Sequence, residues 1–197
     1  VTEQVLPDVA IRLAVRADVP KLHEFEGRFY VGNLSESERA DGFISVWHSV
    51  EWFTRAVDSG GIHVAVTDGD RIGGFIAVVA PPDPTDPDIP EVTRGMVQLA
   101  RTVKMNGRPI ADQRYALRGP VCISPELRGR GVYSAFNAVT LQAYRDRYDI
   151  GVLFVSADNP RSLHTTTGKL GATDLAMFDA DGKRFHFLAF EFPSAGV

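Results

Sequence analysis

Apolar and polar residues alternate through "IRLAV", residues 11–15, as they do along a strand with one buried face. The following "ADVPKLHEFEGRFY" brings Leu22, Phe25 and Phe29 to helical spacing, with Asp18 placed as N-cap and Pro20 in the first turn, where a missing N–H costs nothing. After the polar stretch "VGNLSESERADGF", Ser49 is placed to cap a second helix that stops near Gly60 and Gly61. "IHVAVTDGDRIGGFIAVVA" predicts two antiparallel strands that turn at Asp68 and Gly69. Five prolines between positions 81 and 90 exclude regular structure there. They predict a surface loop rather than a domain boundary, because neither flank has the strands to close a core alone. Met96, Leu99 and Val103 then share a helix face. "RYALRGPVCISPEL" reads as a strand with a Gly-Pro interruption, "YSAFNAVTLQAYRDRY" as a long amphipathic helix, and "GVLFVSA" as a strand buried on both faces. A shorter helix, "PRSLHTTTGKLGA", ends at Gly171, and "LAMFDADGKRFHFLAFEF" closes the chain as a hairpin around "DADG".

This order predicts a mixed α/β (α+β) layer, with 115–157 forming a right-handed parallel crossover. At 197 residues the chain has the length of one domain, 1–197, carrying an inserted loop and helix at about 81–112. Its 44% hydrophobic and 23% charged residues are those of a globular protein. No apolar run approaches the roughly 18 residues that span a bilayer, so no membrane association is expected. The start, "VTEQVLPDV", lacks a basic region followed by an apolar stretch, so no secretion signal is expected and the expected compartment is the cytoplasm. The single cysteine, Cys122, makes no internal disulfide, and the absence of a Cys/His cluster at zinc spacing predicts no metal. A net charge of −4 argues against a chain that grips nucleic acid by its phosphates, so a polyanion would be met locally.

Such a local site lies in "SPELRGRGVYSAF", residues 124–136, where a strand gives way to a helix. Gly129 and Gly131 remove Cβ atoms and permit the positive φ of an anion-binding nest, and the helix beginning near Val132 leaves its first N–H groups pointing outward. Arg128 and Arg130 add charge beside them. A diphosphate fits this arrangement; the plainer alternative is a glycine-rich turn with solvated arginines. There is no GxxxxGK[ST], and no GxGxxG of a dinucleotide fold.

"RGRGVY" resembles the Gln/Arg-x-x-Gly-x-Gly/Ala signature of the GCN5-related N-acetyltransferases (GNAT), with Tyr133 in place of the final small residue. "VSADNPRSLHTTTGKLGA" resembles a second segment of the same family, a strand ending in Asn, then a helix, then "klGF", with Ala172 in place of the aromatic residue. The two motifs cover roughly 114–192 and the element order extends the likeness to the whole chain. The resemblance implies a GNAT-like, mixed and mostly antiparallel central sheet with a parallel splayed strand pair, flanked by helices. It implies acetyl-CoA as co-substrate, its pyrophosphate on the backbone of Arg128, Gly129, Arg130, Gly131, Val132 and Tyr133. The pantetheine would pair with Val121, Cys122 and Ile123 where that strand splays from 152–156, and Asn159 and Ser162 would also contact the cofactor. Asn159 reads equally as a cap before Pro160.

The implied chemistry is direct transfer of the acetyl group to a primary amine of a small molecule or protein. Cys122, between Val121 and Ile123 in a strand, reads as a buried hydrophobe and not a nucleophile. Where relatives carry a tyrosine acid this chain has Thr167, in a segment one residue longer than the common spacing, and a threonine hydroxyl is too weak an acid for that role. His164, Ser162 and Tyr133 are the replacement candidates. Glu26, Glu36, Glu38 and His48 are candidate bases whose default is a solvated surface. The aromatic early region, from Phe25 to Phe53, predicts core with some lining for an acceptor cleft. The 81–112 insertion is a surface excursion, a flap or a homodimer contact. A second reading keeps the fold and loop but not turnover: an acyl-CoA-binding regulatory module.

Overall fold

Nine strands and six helices follow one another along residues 8–194, which the computed structural model describes. In the first half they are β1 (Ala10–Leu13), α1 (Val19–Gly27), α2 (Glu36–Arg39), α3 (Val50–Asp58), β2 (Ile62–Thr67), β3 (Arg71–Val79) and α4 (Glu91–Leu99). In the second they are β4 (Lys104–Met105), β5 (Arg108–Pro109), β6 (Tyr115–Ile123), α5 (Val132–Tyr144), β7 (Ile150–Ser156), α6 (Pro160–Thr165), β8 (Thr173–Ala180) and β9 (Lys183–Glu191). Residues 1–7, on which the expectation about a leader partly rests, lie outside the described residues. Seven strands form one sheet in the order β1-β2-β3-β6-β7-β9-β8, mostly antiparallel with β6–β7 as the parallel pair, as the resemblance implied. The chain divides into two units, Val1–Ser35 with Ile44–Val79 and Gly119–Thr140, and Glu36–Phe43 with Ala80–Arg118 and Leu141–Val197.

In the first unit, side chains of β2 alternate between two apolar clusters. Val64 and Val66 join Leu22, Phe25, Phe53 and Phe75, while Ala65 joins Ile76, Leu127, Val132 and Phe136. Burial on both faces explains why β2 and β3 read as nearly unbroken apolar runs. The turn between them puts Gly69 at φ 72°, a conformation glycine adopts without a steric cost. Ser49 caps α3 as its sequence predicts, accepting from the Trp52 amide at 3.2 Å. Asp18 corrects the expectation for α1. It stands at the N-cap position, but its carboxylate accepts from the Arg12 guanidinium at 2.7 and 3.1 Å and from the Val15 amide at 2.9 Å. A charged partner outcompetes a neutral amide for the same oxygens, and the bond from Arg12 holds the Asp18 carboxyl below its usual range.

In the second unit, β6 pairs with β7 over 115–117 against 150–152, and β9 pairs with β7 over 185–191 against 150–156. Gly151 lies under the Phe190 ring, where an added Cβ would come within 2.1 Å of it. The expected helix face through Val103 ends earlier, at Leu99. Asn106 and Gly107, at φ 56° and 76°, turn a two-residue hairpin between β4 and β5, and Val103 instead accepts from the Ile110 amide at 3.0 Å. The Asn-Gly turn preference overrides the apolar spacing there. The polar stretch before Ser49 contains α2, and β6 runs through the Gly-Pro step without a break.

Gly74 on β3 should be intolerant of a side chain, because a Cβ would stand 2.9 Å from the Cys122 carbonyl oxygen. Gly74→Ala is expected to cost about 1–3 kcal/mol in urea unfolding. His63 on β2 is buried, and burial lowers its pKa from 6.5 to about 4. As pH falls through that interval the unfolded chain takes up the proton first, so stability should drop by about 3 kcal/mol between those values and level off below. The drop should shrink in His63→Gln, measured by unfolding midpoints across the range.

Candidate functional site

The candidate phosphate loop grows out of the end of β6, within the first unit. Cys122 is buried in the cluster with Phe25 and Phe75, while its neighbours Val121 and Ile123 pack on the cluster with Phe136, as strand alternation requires. The Cys122 thiol is pushed well above its ordinary pKa by burial and by the charge of Glu26, against which Arg128 acts weakly. A thiol held protonated and buried is no nucleophile.

Past Ile123, the Ser124 amide donates to the Gly73 carbonyl at 2.9 Å and 125–127 form a tight turn that buries Leu127 against Gly73. Arg128 folds back, its Nε donating to the Ile123 carbonyl at 3.2 Å and its guanidinium 6.0 Å from the Phe29 ring centroid. That double hold makes Arg128 a fixed charge. Arg130 is exposed. Gly129 and Gly131 take φ 75° and 87°, the left-handed conformations the sequence predicts for a nest. An added Cβ on Gly129 would meet nothing within 4 Å, so the loop has open space in front of it. The first i→i−4 bond of α5 runs from Ala135 to the Gly131 carbonyl at 3.0 Å, which leaves the amides of Val132 and Tyr133 outside the helix's own ladder. Left-handed glycines, a helix N-terminus and two arginines suit a phosphate-bearing ligand.

In the second unit, Asn159 caps α6. Its Oδ1 accepts from the Ser162 amide at 3.1 Å and its Nδ2 donates to the Phe43 carbonyl at 2.8 Å, beside an Arg161–Asp41 pair at 2.7 Å. The capping reading of Asn159 is thus realised, and the same side chain holds the 36–43 segment. His164 is exposed on α6 and Ser162 half-buried. Thr167 lies in the π-helical turn Thr166–Leu170, and its hydroxyl donates to the Leu163 carbonyl at 2.9 Å. Among the described residues no group of three or more His, Cys, Asp or Glu is arranged to hold a metal, and no helix is long and apolar enough to cross a membrane.

No protein-family model and no curated protein matches the chain. Solved structures do. An acetyltransferase of the GNAT family from Streptococcus agalactiae superposes with a TM-score of 0.63 at 15% identity, over 95% of this chain and 97% of that one. The fold is that of the GCN5-related N-acetyltransferases. The ribosomal-protein-alanine N-acetyltransferase of Brucella melitensis matches with a TM-score of 0.59 at 15% identity, over 92% of this chain and 99% of its own. The protein yncA of Salmonella typhimurium, solved with its cofactor acetyl-CoA, gives 0.59 at 13% identity over 96% and 97%. At these identities the likeness is one of fold.

The GNAT fold of this chain also holds a pair that the sequence reading left as solvated surface. Glu26 is fully buried, and its two oxygens take the backbone amide and Nδ1 of His48 at 2.7 and 2.8 Å. The signal was present in the helical spacing, since position 26 follows Leu22 by four and so falls on the inward stripe of α1. Glu36 and Glu38, on α2, are exposed as expected.

Asn159→Ala should remove the cap of α6 and the tie to Phe43 together. The expected loss is about 1–2 kcal/mol in thermal or urea unfolding, with faster amide exchange at Ser162.

Proposed function

We propose that this chain is an N-acetyltransferase that moves an acetyl group from acetyl-CoA to a primary amine by direct transfer. The observation that carries the reading is the loop after β6, where Gly129 and Gly131 at positive φ lead into the N-terminus of α5 beside an anchored Arg128. In this reading the amides of 128–133 hold the pyrophosphate, Arg130 supplies a second charge, and the backbone at Val121, Cys122 and Ile123 runs along the pantetheine arm. Acetyl-CoA supplies an activated thioester carbonyl. In the second unit, Asn159 retains one N–H and one lone pair beyond the bonds described above. Because Cys122 is buried and held protonated, no acyl-cysteine step belongs to the reaction. The acid for the departing thiolate comes from Tyr133, Ser162 or His164, because the Thr167 hydroxyl already donates to its own helix. The acceptor is an amine of a small molecule or a protein.

That engaged Thr167 hydroxyl is also what favours a second reading, an acyl-CoA-binding module with little or no turnover. Both readings predict calorimetric binding of acetyl-CoA in the micromolar range, on the order of −8 kcal/mol. Gly131→Asp should abolish that binding by placing a carboxylate in the cradle, while the circular dichroism spectrum is retained. Unchanged binding in the variant would contradict the loop assignment. CoA release in the presence of amines separates enzyme from module.

A further inference from the structure

The Glu26–His48 pair lies wholly in the first unit and is built with unusual care. Both carboxylate oxygens of Glu26 are taken by one residue, the His48 amide at 2.7 Å and Nδ1 at 2.8 Å, and Glu26 itself is 0% exposed. The His48 ring lies against Trp52 at 3.9 Å between centroids and meets the edge of Phe53 at 6.3 Å, while its side chain keeps 14% of its surface exposed. Its carbonyl accepts from His23 Nδ1 at 2.8 Å, and His23 in turn stacks on Trp47 at 4.9 Å. Stability alone does not account for this. A carboxylate in an apolar cluster carries a desolvation penalty that a leucine at the same place would not, and buried ion pairs replaced by apolar residues are often neutral or stabilising.

We propose that His48 is the base of the reaction, receiving at Nε2 the proton of the incoming ammonium, and that Glu26 is the positioning residue that sets its tautomer. The inference rests on the transferase reading above. An ionised carboxylate only accepts, so Nδ1 carries the hydrogen that faces Glu26 and the lone pair is on Nε2. An ammonium has no lone pair and must lose one proton before it can attack. That proton passes to Nε2, forms an imidazolium beside the Glu26 charge, and leaves to solvent. The amine lone pair then forms the C–N bond at the thioester carbonyl carbon while the C–S bond breaks. The nitrogen sheds its second proton, the thiolate takes one up, and one proton is released per turnover.

Place and charge agree with this role. Glu26's charge acts on the Cys122 thiol, so the pair stands beside the part of β6 proposed to meet the pantetheine. Of the titratable and charged groups here, Glu26 and His23 from α1 bond His48, Glu51 from α3 acts on His23, and Glu26 and Arg128 act on Cys122 of β6.

Glu26→Gln tests the proposal with little change in volume. The glutamine carbonyl can accept from the His48 amide, but its NH2 donates to Nδ1, moves the ring hydrogen to Nε2 and leaves that atom unable to accept a proton. Nitrogen-15 NMR of the cofactor-free protein at about pH 8 should show hydrogen on Nδ1 in the native chain and on Nε2 in Glu26→Gln. CoA release from acetyl-CoA with tryptamine, 1,4-diaminobutane and an alanyl dipeptide as probe amines should fall about 10²–10⁴-fold in both Glu26→Gln and His48→Gln. Acetyl-CoA binding should stay within about twofold, and the loss should lie in kcat rather than in KM for the amine. Native turnover with unchanged kcat in both variants, or hydrogen on Nε2 of the native ring, overturns the base assignment and leaves the transferase standing. Acetyl-CoA binding without CoA release for any probe overturns the transferase reading and this inference with it.

Discussion

The hydrogen bond from the Ser124 amide to the Gly73 carbonyl, at 2.9 Å, marks where β6 stops being a strand and the glycine-rich loop begins. Much of the first unit is arranged so that this hand-off can occur. Gly73 and Gly74 have no side chains, so Leu127 and the Cys122 carbonyl can approach β3 closely. Leu127 then anchors the far side of the turn in the cluster that holds Val132 and Phe136. Arg128 returns to the Ile123 carbonyl it has just left. With both ends of the turn fixed, the two left-handed glycines have one way to point and α5 one place to begin.

A fixed loop matters for the cofactor proposed to sit on it. A net charge of −4 gives the molecule no general attraction for polyanions, so in that proposal affinity for a diphosphate rests on a few oriented amides and two arginines. Preorganised donors bind without ordering themselves at the moment of binding. The same economy explains Glu26 and His48. An imidazole between Trp52 and Phe53, tied through amide and Nδ1 to one buried carboxylate, has its orientation decided before any substrate arrives.

Most of the fold was legible in the sequence. Alternation and helical spacing placed the sheet and its flanking helices, Ser49 announced its cap, and the glycines of "RGRG" announced positive φ. The errors share a cause: local patterns that a stronger interaction overrules. Asp18 fits an N-cap, but the charge of Arg12 takes its oxygens. Val103 fits a helix stripe, but the Asn106-Gly107 turn starts a hairpin first. Glu26 was read as surface because a carboxylate usually is, although its place on the α1 stripe beside Leu22 and Phe25 pointed inward; the sequence offered no sign that His48, 22 residues away, would meet it. Asn159 carried two readings, a cap and a cofactor contact; the fold realises the cap and adds a tie to Phe43 that the sequence did not announce.

The central claim is that the backbone of the loop after β6 is the seat of a phosphate-bearing cofactor. Following the amide resonances of Gly129, Gly131 and Val132 during titration with acetyl-CoA tests it most directly. The account predicts that these amides shift most and exchange most slowly with solvent once the cofactor is bound. Saturable binding that leaves them unmoved and perturbs another part of the chain would contradict it.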